Sequence, residues 1–109
     1  MLPDFGLPSS TLASIQQVLA RFPHVVRASI YGSRAKGTFR PGSDIDLALF
    51  GDELTADDLL SIDAALDDLD MPYTLDLALF AHIENPALQS HIHRVGQEIY
   101  RAPSVLRAS

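Results

Sequence analysis

The sequence predicts an α/β domain with helices packed on a small sheet. Three observations predict it. Segments with apolar residues at helical spacing alternate with short runs rich in β-branched and apolar residues. The chain has 109 residues, 47% apolar and 20% charged, an ordinary globular composition for one modest core. The pentapeptide DLALF occurs twice, at Asp46–Phe50 and at Asp76–Phe80, each copy patterned like a strand.

The elements follow in order. Ser9 or Ser10 can cap a first helix, in which Leu12, Ile15, Leu19 and Phe22 recur at helical spacing and which Pro23 stops. Val25–Tyr31 reads as a strand. Gly32–Gly42, with three glycines and a proline, reads as loop with a short helix at its start. Asp44–Phe50 is the second strand. Thr55 caps a second helix, with Asp57 and Asp58 in its first turn, where acids suit the positive helix end. Its apolar stripe is Leu59, Ile62, Leu66 and Leu69, and Met71-Pro72 breaks it. Tyr73–Phe80 is the third strand. Asn85-Pro86 starts a third helix that turns Leu88, Ile92 and Val95 inward and ends at Gly96. Ile99-Tyr100 is a candidate edge strand, and the tail after Pro103 is expected to fray.

Composition excludes several function classes. There is no cysteine, hence no disulfide frame and no thiolate zinc site, which fits a reducing compartment. Met1–Pro8 lacks the basic start and apolar core of a signal peptide, and no run approaches bilayer length. A cytoplasmic location and a single domain over 1–109 are therefore expected. The net charge of −6 disfavours direct contact with nucleic acid or an anionic membrane. Many acids lie between Asp44 and Asp76, while Arg27–Arg40 is locally basic. That juxtaposition suits a site handling both metal ions and an anionic ligand.

Alternation gives the repeated pentapeptide a meaning. Ile45, Leu47 and Leu49 share one face of their strand, and Asp44 and Asp46 share the other. Leu75, Leu77 and Leu79 repeat the pattern, with Asp76 pointing away. If the strands are neighbours, their cross-strand Cβ atoms lie about 4.5–5.5 Å apart and the three carboxylates converge. A protein seldom keeps such a cluster without a compensating cation, and oxygen-only ligands suit Mg2+ or Mn2+. Two ions about 3.5–4 Å apart can clamp both oxygens of a phosphoryl transfer. The alternative is a solvated sheet face. Ahead of these acids, Gly32 lets a backbone approach a ligand closely, Ser33 can open a phosphate-binding helix end, and Arg34, Lys36 and Arg40 add positive charge.

Gly32-Ser33, ten residues, then Asp44-Ile45-Asp46 resembles the signature of the DNA polymerase β-like nucleotidyltransferase superfamily, and the wording GSRAKG…SDIDL resembles its minimal, one-domain branch. The likeness runs from the first helix to Tyr100. It implies that superfamily's fold, a small mixed sheet with helices mainly on one face. It also implies that Gly32, Ser33 and Ser43, helped by Arg34 and Lys36, hold the triphosphate. Asp44, Asp46 and Asp76 become the catalytic acids and the ligands of two Mg2+ or Mn2+ ions. ATP is then the substrate: an acceptor hydroxyl attacks the α-phosphorus and pyrophosphate leaves. In the minimal branch the resemblance points to an antitoxin that transfers AMP to a tyrosine of a HEPN-domain toxin, its hetero-oligomeric partner. Two alternatives stand beside this reading. One is a binding module that blocks its partner by contact; the other is a homodimeric small-molecule nucleotidyltransferase.

The remaining residues receive plainer readings. His91 and His93 lie two apart on a helix and make a poor metal pair, and His24 and His82 are expected to be solvated. Asp57, Asp58, Asp67, Asp68 and Asp70 read as a solvated helix face that could also meet a basic partner.

Overall fold

The two DLALF segments lie side by side in the computed structural model, which describes residues 7–32 and 44–103. Strand β1 spans Arg27–Tyr31, β2 spans Ile45–Phe50, β3 spans Leu75–Leu79 and β4 spans Gln97–Arg101. Their order in the sheet is β3-β2-β1-β4. β1 pairs antiparallel with β2 and β4, and β2 pairs parallel with β3, so the sheet is mixed. A parallel pair needs a crossover connection, which helix α2 (Ala56–Asp67) provides. In the parallel register Asp46 meets Asp76, Leu47 meets Leu77, Ala48 meets Ala78 and Leu49 meets Leu79. One residue further, Phe50 and Phe80 stack with ring centroids 4.7 Å apart. Like therefore sits beside like along the whole repeat.

Helix α1 (Ser9–Leu19) and α2 cover one face of the sheet. Ile15, Leu19, Ile30, Ile45, Leu47, Leu49, Ile62 and Leu66 are fully buried there. Helix α3 (Pro86–Val95) packs on the other face, where buried Ile92 meets Tyr31 and Ala48. The inward stripes expected for all three helices are those that pack, with Leu12, Phe22, Leu59, Leu69, Leu88 and Val95 only partly covered.

The caps agree with expectation in two helices and differ in one. Thr55 and Asp58 form a reciprocal capping box, each side chain accepting the other's backbone N–H at 3.1 and 3.0 Å. Asn85 accepts from the N–H groups of Ala87 and Leu88 ahead of Pro86. In α1, by contrast, no serine caps the helix: Pro8, with φ −59°, is the N-cap residue, and its carbonyl accepts from Thr11 and Leu12. The ring fixes the φ from which the first turn departs, so Ser9 and Ser10 fall inside it. At the end of α3, Gly96 is extended at φ −62° rather than left-handed. Its need is spatial: a Cβ there would overlap the Ile92 carbonyl oxygen. β3 ends a residue before Phe80, where a 3-10 turn, Phe80–His82, begins. β4 runs longer than Ile99-Tyr100, with a register shift opposite Ala28 and Ser29, and both residues pack on the main core.

His24, expected to be merely solvated, is tied to the α2 cap. Its Nδ1 lies 3.0 Å from Asp58 Oδ2, and Nε2 lies 3.5 Å from Glu53. The hydrogen bond to Asp58 raises the His24 pKa above its ordinary 6.5, and the same bond lowers Asp58 below its ordinary 3.8. The histidine contribution is whole below 6.5 and fades as pH rises through the raised value; the aspartate contribution is whole above 3.8 and fades as pH falls. The pair therefore stabilises most between those limits. His24→Gln is expected to lower Tm at about pH 5–6 and to matter little by about pH 8, as melting curves across that range will read.

Candidate functional site

β1, β2 and β3 place one residue each in a row on the face away from α1 and α2. Tyr31 stands opposite Asp46, and Asp46 stands opposite Asp76. The alternation that turns Ile30, Leu47 and Leu77 toward the main core turns these three the other way. Directly after Tyr31, Gly32 takes a left-handed φ of 75°. A Cβ on Gly32 would overlap the Asp46 carboxylate oxygen, so the glycine backbone lies hard against that group. From the α3 side, the His91 ring meets the Tyr31 ring edge-on at 6.2 Å.

Electrostatics mark Asp46 as the centre of the row. Burial, then the charges of Asp76 and Asp44, push its carboxyl above the ordinary 3.8, and His91 offsets part of this. Burial, then Asp46 and Asp76, also raise the Tyr31 phenol above its ordinary 10.0. Among the described residues, negative charge outweighs positive charge around Asp46.

Of the three carboxylates expected to converge, the parallel register joins two. Asp46 and Asp76 are neighbours in the ladder; Asp44 is exposed and precedes β2, outside the paired register, though its charge is felt at Asp46. Among the described residues no three His, Cys, Asp or Glu side chains stand together as a metal cage. A cage is not what Mg2+ requires. That ion keeps several waters and uses one or two carboxylates together with substrate phosphates. Two neighbouring carboxylates, one of them electrostatically strained, fit such an ion chemically. Ser33, Arg34, Lys36, Arg40 and Ser43, expected to hold phosphate, lie outside the described residues.

Tyr31 and His91 join the candidate site only through the fold. Strand alternation could have found Tyr31, since it opposes Ile30 and abuts Gly32. His91 carries no signal in the sequence, because only the packing of α3 brings it near Asp46. His93 turns elsewhere, onto the Phe80 ring at 4.9 Å.

The four-stranded mixed sheet with its three helices matches the polymerase β-like nucleotidyltransferase fold. The family model described as polymerase beta, nucleotidyltransferase, matches residues 13–104, and the chain belongs to that family. No curated protein matches the chain. Among solved structures, a toxin–antitoxin with AMP-PNP is similar, at 21% identity and a TM-score of 0.68, covering 86% of this chain and 76% of that one. The toxin–antitoxin MntA-HepT is similar at 17% identity and a TM-score of 0.65, covering 87% and 74%. A tri-AMPylated Shewanella oneidensis HEPN toxin in complex with MNT antitoxin is similar at 17% identity and a TM-score of 0.64, covering 91% and 76%. Among the described residues no helix is long and apolar enough to cross a membrane.

Proposed function

We propose that this protein is an antitoxin that transfers AMP from ATP to a hydroxyl, a tyrosine in our reading, of a partner HEPN-domain toxin. The observation that carries the chemistry is the Asp46–Asp76 pair, in register, with Asp46 pressed against Gly32. The partner is supported by the structural neighbours, which are toxin–antitoxin assemblies.

Asp46, Asp76 and Asp44 would hold Mg2+, which when bound neutralises phosphate charge during transfer. The residues themselves supply position and proton traffic. Gly32, without a side chain, lets the triphosphate approach the carboxylates, and Ser33 and Ser43 with Arg34 and Lys36 are assigned to its β- and γ-phosphates. The acceptor oxygen attacks the α-phosphorus; the bond to the bridging oxygen breaks, and pyrophosphate departs with that electron pair. Asp76, the more exposed of the pair, takes the hydroxyl proton.

The test is incubation of the chain with labelled ATP, Mg2+ and the product of the adjacent gene. Label on the partner is expected from wild type and not from Asp44→Asn/Asp46→Asn. A double variant that still neutralises the toxin at equal concentration means that contact, not transfer, is the mechanism. Label on a small acceptor without any partner would favour the small-molecule reading. Ligand binding gives a simpler check. Mg2+ with ATP at about 100 times its Kd should add about 2.7 kcal/mol of stability; a melting curve unmoved by millimolar amounts of both counts against the site.

A further inference from the structure

We propose that the groove between α2 and the outer edge of β3 docks an extended, basic segment of the acceptor protein, anchored by apolar side chains. The inference rests on the reading that the acceptor is a protein, and it adds where that protein sits.

β3 ends the sheet, and among the described residues only β2 pairs with it. Its free edge presents backbone N–H and C=O groups that an extended segment can pair with at strand spacing, about 4.8 Å. The cover over this edge is incomplete. Ile45, Leu47 and Leu49 of β2 are fully buried, whereas Leu75 and Leu77 in the matching positions of β3 are only half-buried. On α2, Leu60 is 68% exposed, the most exposed large apolar side chain among the described residues. An isolated exposed leucine needs no explanation, but this one rims a groove of about 260 Å³ shared with Leu59, Asp63, Leu75, Asp76 and Leu77. A second hollow of about 280 Å³ shares Asp63 and Leu75 and continues the groove toward Asp67 and Met71.

Charge selects the occupant. Asp63 and Asp67 are exposed, and no ion pair joins either to a cation among the described residues. They give an apolar floor an acidic rim. That combination repels nucleic acid and suits lysine or arginine alternating with apolar residues. Position selects the purpose. Asp76 lines the groove and also stands in register with Asp46. A strand laid along β3 puts the side chain opposite Asp76 beside the carboxylate pair, as Asp46 is on the other side. Docking and delivery of the hydroxyl are then one event.

The test uses the full chain and the HEPN-domain partner, with Leu60→Lys/Asp63→Lys as the disrupting variant and Leu60→Met as the conservative one. Both positions are on the surface and outside the carboxylate site, so the variants should melt like wild type. Affinity is measured without nucleotide or metal, and amide exchange is followed along Leu75–Leu79. The double variant is expected to bind about tenfold or more weakly, since it loses an apolar anchor and reverses a charge; its kcat should hold while KM for the partner rises. Leu60→Met should keep wild-type affinity, and the partner should protect β3 amides. Unchanged affinity in the double variant overturns the proposal. So does β3 protection in the free chain that vanishes on deleting residues 104–109, which would make the chain's own tail the occupant, or a dimer that Leu60→Lys dissociates. Should wild type label no partner while the double variant still weakens binding, the groove stands and the transfer reading falls.

Discussion

Asp46→Asn is expected to cut nucleotide transfer by on the order of a thousandfold while leaving the fold as stable as before, or more so. The two effects have one cause. Asp46 is half-buried between Tyr31 and Asp76, with the Asp44 charge close by, and its carboxyl is held above its ordinary pKa. An acid whose folded pKa is raised destabilises the fold whenever it is ionised, and relief comes as pH falls through the folded value toward 3.8. Asparagine keeps the shape and removes the repulsion at neutral pH. In metal-free buffer, therefore, Asp46→Asn should melt at or above wild type at pH 7, and the gap should close as the pH is taken into the acid range. With Mg2+ and ATP the order should reverse, because wild type gains ligand binding that the variant lacks. A variant less stable than wild type at neutral pH without metal would mean that Asp46 is a structural group, and that the strain seen at it serves no binding role. This is the stability–activity conflict expected of a functional site.

How far the sequence reaches can be judged at the repeated pentapeptide. Period-2 alternation assigned Leu47, Leu49, Leu77 and Leu79 to the core and Asp46 and Asp76 to the other face, and the parallel register joins them as neighbours. Side-chain period is a local property, so it is legible in one dimension. The caps at Thr55 and Asn85 are legible for the same reason. What escapes is set by packing between distant segments. Nothing local tells that α3 covers the face opposite α1 and α2, so His91 could be placed on a helix but not beside Tyr31. Nor does local pattern show that His24, 34 residues away, meets the capping aspartate of α2. Asp44 marks where the register ends: it precedes β2, which begins at Ile45, yet its charge acts on Asp46. Leu60 carries the same lesson for surfaces. The stripe of α2 correctly omits it, yet only the shallow cover over β3 gives its exposure a context.

Gly32→Ala should be the most damaging single methyl that can be added near the site. Two costs meet there. Alanine disfavours the left-handed φ of 75°, and residues held in such regions carry strain of about 1–3 kcal/mol. Its Cβ would also overlap the Asp46 carboxylate oxygen, so either the strand end or the carboxylate must shift. A displacement of about 1 Å in a positioning group can cost about a hundredfold in rate. Transfer should therefore fall by about that factor, and urea unfolding should show a loss of about 1–3 kcal/mol. The two costs can be separated by truncating the neighbour. In an Asp46→Ala background the colliding oxygen is gone and the retained Cβ would stand at 3.6 Å, an ordinary contact. Only the backbone penalty then remains, so Gly32→Ala should destabilise Asp46→Ala less than it destabilises wild type. That coupling, read from a double-mutant cycle, measures how tightly the glycine and the carboxylate are fitted to each other. Equal penalties in the two backgrounds would mean that Gly32 serves only the turn, and the close seat for phosphate beside Asp46 would lose its structural basis.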